Sequence, residues 1–197
     1  DLSPIGQAVD GYTLDSNIEE VSATGSSLWS WRSADHFPTA ETLFPQVFIP
    51  LTNTTTNPNP VVDIAHINSI EDDGKGGIIA SFRNTSAVYG IDKATGDIRW
   101  KLGGTTTSKS LTVIGDSGVD RSVGGQHDAR MNGDGTVSIF DNGWGSNHGA
   151  RATRWRIDPV AKTATLVEKL VDPTIGKAIC CGSARRVGRG RARAGPP

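Results

Sequence analysis

Three segments of this chain carry the same short plan, and that repetition restricts its fold more than any other feature. "VYGIDKATGDIRW" (88–100) reads as a strand, a Lys-Ala-Thr-Gly turn and a second strand ending in Trp100. "IEEVSATGSSLWSW" (18–31) has the same Ala-Thr-Gly turn, and a shift of 71 residues lays Trp29 on Trp100. "WRIDPVAKTATLVEKL" (155–170) repeats the plan, with Asp158 standing 66 residues after Asp92. Alternating apolar residues around a turn bearing Gly, Asp or Pro predict a β-hairpin in each case.

A second hairpin precedes each of the last two. "AHINSIEDDGKGGIIASFR" (65–83) and "QHDARMNGDGTVSIFDN" (126–142) both run histidine, strand, Asp/Gly turn, strand, with His66 and His127 61 residues apart. Two hairpins per unit make a four-stranded meander recurring at about 60–70 residues, the pattern of β-propeller blades. The 24 Gly and 10 Pro fit such a turn-rich all-β chain. A single β-sandwich with coincidental turns is the alternative, but the matched Thr-Gly-Trp and histidine-strand-turn elements favour the propeller. The chain holds the end of one blade (about 12–32) and two full ones (about 61–103 and 123–171). Closure takes at least about four blades, so residues 1–184 are expected to form an incomplete ring of two to three blades. Such an open fan exposes unpaired strand edges, and low stability is expected of it.

Charge and motif content exclude several classes. The formal net charge is −1, but "RRVGRGRARAGPP" (185–197) holds five of the 20 basic residues and no acid. The remainder is acidic, at 15 Lys and Arg against 21 Asp and Glu, which argues against a nucleic-acid partner. No stretch approaches the roughly 20 apolar residues of a membrane span. No signal peptide is visible, although the chain starts at Asp1 without Met. The adjacent Cys180 and Cys181 match neither a metal-site spacing nor an ordinary structural disulfide. Asn53-Thr-Thr and Asn84-Thr-Ser are glycosylation sequons of a length that arises by chance. "DARMNGDGTVS" has Arg130 at a required acidic position of a calcium loop and no glutamate at its end, so no metal is expected. No phosphate-cradling Gly-rich loop with Lys-Ser/Thr occurs, and no cofactor is expected.

Several motifs together carry a resemblance. "WSWRSADHF" (29–37), "DIAHINSIEDDGKGGIIASFRNTSAVYGIDKATGDIRWKLGG" (63–104), "GGQHDARMNGDGTVSIFDNG" (124–143) and "GARATRWRID" (149–158) are similar, in order and spacing, to the arylsulfotransferase family. The resemblance covers nearly all of residues 10 to 184. It implies a six-bladed propeller that is exported from the cytoplasm, to the periplasm or outside the cell. It also implies transfer of a sulfuryl group from an aryl sulfate donor to a phenolic acceptor without a nucleotide donor, through a sulfated histidine. The chain departs from the family after "CCGSARR", where "VGRGRARAGPP" replaces an expected Leu-x-x-Gly-Asn-x-Leu-Val strand followed by Trp-Gly. Arg, Gly, Ala and Pro are what GC-rich codons give out of frame. A frameshifted or artificial end and a natural, disordered basic tail are both open readings, and in either the later blades are expected to be missing. "GIDKATGDIRW" also resembles the turn repeat of quinone-dependent dehydrogenase propellers, a similarity of blade geometry on an outer hairpin.

The first strand of each blade lines a propeller's channel, so His66 and His127, at repeat-equivalent positions, are expected at one mouth of it. Sulfuryl transfer shares its demands with phosphoryl transfer: in-line attack, and donors that meet charge on the equatorial oxygens. Histidine serves as nucleophile or acid/base near neutral pH, and arginine's planar fork suits a sulfate. By the resemblance, the essential arginine follows Phe-Asp-Asn-Gly, which selects Arg151, although the loop "WGSNHGA" is longer than the family's. His66, His127 and Arg151 are therefore the catalytic candidates. Asn68 shares the strand face of His66 and is placed to orient an oxyanion through its amide. Arg83, Arg130 and Asn142 complete the substrate-binding candidates. Asp128 would set the tautomer of His127 only if the backbone bends there. Asp141 is read with Asn142 as shaping the loop to Arg151, His36 as structural, and His148 as part of a variable loop. A non-catalytic propeller binding an anionic or phenolic ligand, and a non-functional fragment, are the competing readings.

Overall fold

Period-2 alternation dominates the chain, and strands form wherever it runs. The computed structural model describes residues 1–7, 11–48 and 61–185. The sequon at Asn53 and the tail from residue 186 lie outside the described residues. The strands are β1 (Tyr12–Leu14), β2 (Asn17–Val21), β3 (Ser27–Arg32), β4 (Gln46–Phe48), β5 (Val61–Asp63), β6 (Ile67–Asp72) and β7 (Gly77–Phe82). They continue as β8 (Ala87–Asp92), β9 (Ile98–Gly103), β10 (Thr112–Ile114), β11 (His127–Met131), β12 (Thr136–Asp141), β13 (Arg151–Asp158) and β14 (Thr163–Val171). Three single 3₁₀ turns, Ser3–Ile5, Ser33–Asp35 and Thr39–Glu41, are the helical elements among the described residues. The protein is all-β, with several small sheets, none of them closed.

All five hairpins read from the sequence form, as β2–β3, β6–β7, β8–β9, β11–β12 and β13–β14. β6 to β9 make one antiparallel meander in sequential order, and β11 to β14 make a second. The sheets depart from the expected boundaries at their margins. β1 and β5 do not join the meanders but pair in parallel, with β4 antiparallel to β5, as a separate three-stranded sheet. β10 adds to β14 in parallel as a fifth strand. Neither pairing is between sequence neighbours, so no turn signal announces it.

The first meander is buried on both faces. Ile78, Ala80 and Phe82 of β7, with Ala87, Tyr89 and Ile91 of β8, enter one core with Ile18, Trp31 and Phe37. Ile79 and Val88 point the other way, into a core with Trp100, Leu102, Val137, Ile139 and Trp155. Alternate residues of one strand thus serve two cores, which is why β7 reads as a continuous apolar run. The outer face of the second meander has no such cover among the described residues. Leu170 is exposed there, and a cavity of ≈ 250 Å³ is lined by Ala152, Thr153, Arg154 and Leu170.

The two meanders meet along their first strands, β6 and β11, through a seam of side chain to backbone bonds. Ala129 N–H donates to Ser69 Oγ at 2.9 Å, and Asn68 Nδ2 donates to the Gln126 carbonyl at 2.7 Å. The buried Gln126 amide reaches into the neighbouring meander, donating to Ser81 Oγ and to the carbonyls of Phe82 and Ala87. This seam positions both histidines.

Candidate functional site

His66 stands just before β6 in a left-handed conformation, φ 56°. Its Nδ1 lies 2.6 Å from Oδ2 of the buried Asp63, the last residue of β5. A carboxylate accepts, so Nδ1 carries the proton and the Nε2 lone pair is left for chemistry. The side chain is 37% exposed, and no bond to Nε2 forms among the described residues. Asp63 was not among the sequence candidates. It lies on a strand whose parallel partner comes from 49 residues away, and no local pattern reports that pairing.

His127 opens β11 and is oriented by a neutral group. Asn142 Nδ2 donates to the carbonyls of Cys181 at 2.7 Å and Ala178 at 3.4 Å, which turns Asn142 Oδ1 towards the ring at 2.9 Å from His127 Nδ1. An amide oxygen only accepts, so Nδ1 of His127 is the donor and Nε2 holds a lone pair. The Cys181 N–H rests on that Nε2 at 3.3 Å. Burial pushes the pKa of His127 below the ordinary imidazole value, only partly offset by the Asn142 and Gly125 oxygens. The positive charges of Arg83 and His66 press it down further. The ring is held towards its neutral form.

Strand register corrects the expected equivalence of the two histidines. Phe82 and Phe140 hold the same place in "FRN" and "FDN"; Phe82 pairs with Ile67, whereas Phe140 pairs with His127. By the ladder, His127 is the counterpart of Ile67 and His66 that of Gln126. The bulges differ: the left-handed residue precedes β6 at His66 but falls inside β11 at Asp128, φ 58°. The rings still come within electrostatic reach of one another and of Arg83.

The arginines separate sharply. Arg83, only 6% exposed, donates from Nη1 to Asn84 Oδ1 at 2.9 Å and from Nη2 to the Ile179 carbonyl at 3.2 Å. It forms no ion pair with a carboxylate among the described residues. Arg151, 3% exposed, is enclosed by acids. Its Nε donates to Asp141 at 2.8 Å, and its Nη1 and Nη2 form a fork on Asp116 at 2.9 and 2.8 Å, with a further bond from Nη2 to the Ser122 carbonyl. Arg130 is held by Asp128 and, at 3.7 Å, by Glu71.

The remaining candidates find structural partners. One N–H of the Asn68 amide is committed to the seam, and its buried Oδ1 is unpartnered among the described residues. Asp128 bonds Arg130 and Arg185 rather than His127, so the backbone bend anticipated there does not set the tautomer; Asn142 does. Asp141 accepts from the amides of Gly124 and Gly143 as well as from Arg151. His36 stacks on Trp31, ring centroids 4.5 Å apart. Both ring nitrogens of His148 face backbone carbonyls. Asn84 is fully buried and donates to the Asp63 carbonyl, so its sequon is closed to modification in the folded chain. Among the described residues no group of three or more His, Cys, Asp or Glu is placed to hold a metal ion, and no helix is long and apolar enough to cross a membrane.

Two neutral-capable imidazole nitrogens beside a buried guanidinium without a counter-ion suit a tetrahedral oxyanion and a nucleophile to attack it. A family model described as arylsulfotransferase (ASST) matches residues 1–186. No curated protein matches the chain.

Proposed function

The chain belongs to the arylsulfotransferase family, and from that premise we propose that it moves a sulfuryl group from an aryl sulfate ester to a phenol through a sulfated histidine. Arg83 is the anion donor: burying an unpaired guanidinium is costly, and a sulfate would supply the missing negative charge. That unpaired, buried Arg83 beside His127 is the observation carrying the reading. His127 is the nucleophile, because its depressed pKa keeps Nε2 unprotonated, with only the Cys181 N–H resting on it at 3.3 Å. Nε2 attacks sulfur in line, the bond from sulfur to the aryl oxygen breaks, and Asn142 Oδ1 takes the growing positive character at Nδ1–H. His66, held by the Asp63 carboxylate, takes a solvent proton on Nε2 before this half, gives it to the departing phenolate and is left neutral. In the second half, His66 takes the proton of the acceptor phenol, whose oxygen attacks sulfur and releases neutral His127.

In this reading Arg151, although named by the sequence motif, is scaffold: its donors are spent on Asp116 and Asp141. The two meanders are blades of an incomplete propeller, and the site lies at the channel mouth of their first strands. The protein works outside the cytoplasm, as the family does.

The test is acceptor-dependent release of nitrophenol from p-nitrophenyl sulfate, with mass spectrometry of the chain after donor alone. A sulfuryl adduct on His127, and loss of release by at least about a hundredfold in His127→Ala and Arg83→Ala, are expected. An adduct that survives His127→Ala would overturn the assignment. Saturable donor binding without any adduct would instead establish a binding propeller.

A further inference from the structure

Segment 178–185 lies across part of the site and touches Arg83, His127 and Asn142. The Ile179 carbonyl accepts from Arg83, the Cys181 N–H rests on His127 Nε2, and the Cys181 carbonyl accepts from Asn142. Ala184 and Arg185 anchor its far end on Asp128. Within it, Cys180 and Cys181 are free and exposed. The neighbouring Cys180 thiol raises the pKa of Cys181, and the backbone at Cys181 is left-handed, φ 61°.

We propose that Cys180 and Cys181 form a dithiol modification site that reacts with small-molecule disulfides and thereby repositions the backbone lying on His127 and Arg83. One thiolate attacks the reagent disulfide, forming a mixed disulfide and expelling one thiolate. The second cysteine, losing its proton to solvent, attacks the protein sulfur of that bond, expels the second reagent thiolate and closes an adjacent-cysteine disulfide. Adjacent cysteines close only a small, strained ring, so the product is readily reduced, the mark of a regulatory rather than a structural bond. Ring closure must turn the peptide between them, which carries the Cys181 N–H that rests on His127, and the next carbonyl along, that of Cys181, accepts from Asn142.

This inference rests on the proposed roles of His127 and Arg83 for its effect on activity, but the site itself is testable without them. The intact chain is treated with oxidised glutathione, then analysed by mass spectrometry, by the imidazole resonances of His127 and by the transfer assay. Expected are loss of two hydrogens with both thiols blocked, a shift of the His127 resonances, and a several-fold change in transfer, all reversed by dithiothreitol. Cys180→Ser and Cys181→Ser should stop at the glutathione adduct. Stable double glutathionylation of the intact chain, or ring closure that leaves the His127 resonances unmoved, would overturn the proposal. A moved resonance in a chain without transfer activity would leave the dithiol site standing and count against the sulfotransferase reading alone.

Discussion

Arg83 and Arg151 are nearly equally buried, yet carboxylates enclose Arg151 and none pairs with Arg83 among the described residues. Arg151→Ala strips buried Asp141 of its guanidinium and leaves Asp116 with only the Lys169 ammonium at 3.5 Å, and breaking such a buried pair costs about 3–5 kcal/mol. Thermal denaturation should show a large loss of stability; a variant that melts normally but transfers nothing would return Arg151 to the chemistry. Arg83→Gln removes a positive charge that holds the His127 pKa down. Titration by NMR should find that pKa moved up, towards the ordinary 6.5, and the alkaline-rising limb of transfer moved with it. The linkage sign follows: a pKa lowered on folding means that His127 contributes stability above the ordinary histidine range. That contribution is lost as pH falls through the folded value. The sequence named His66, His127 and Asn142 as candidates because they sit in patterned motifs. It selected Arg151 ahead of Arg83 from the Phe-Asp-Asn-Gly motif, without access to which carboxylates the fold brings near, and Asp116 is 35 residues from Arg151.

At the scale of elements, β8 shows how a strand is fixed by what crosses it. Gly90 pairs with Trp100, and a Cβ there would stand 2.2 Å from the indole ring. Gly90→Ala forces Trp100 out of its place, and overpacking of this kind costs about 1–3 kcal/mol. Urea unfolding should show the midpoint falling, while transfer measured in the absence of urea persists, because β8 carries no site residue. The seam between β6 and β11 is the more direct support of the site. Ser69→Ala strips the Ala129 N–H of its acceptor, at about 1–3 kcal/mol for a buried donor left unmet. Hydrogen exchange should then rise at Ala129 before it rises in β7.

For the whole molecule, the first meander's double burial couples the two cores. Phe82 belongs to one and Trp155 to the other, but β7 and β8 contribute to both. Calorimetry of Phe82→Ala and of Trp155→Ala should each give one transition, lowered by about 3–5 kcal/mol of stability; two resolved transitions would refute the coupling. The opposite face of the second meander is uncovered among the described residues, with Leu170 62% exposed. Leu170→Lys should reduce self-association in light scattering at little cost in stability, since exposed apolar patches drive association more than they support the fold.

The sequence by itself determined the local elements: five hairpins, their turns, the all-β class and the two histidines at the head of matching strands. Those follow from period-2 alternation and turn chemistry, which act between residues close in the chain. Only the tertiary structure decided what lies between distant segments. It set the parallel pairing of β1 with β5 that carries Asp63 to His66, and the one-residue offset that separates His66 from His127 in register. It also enclosed Arg151 in acids while leaving Arg83 without one among the described residues, because charge is balanced by neighbours in space rather than in sequence.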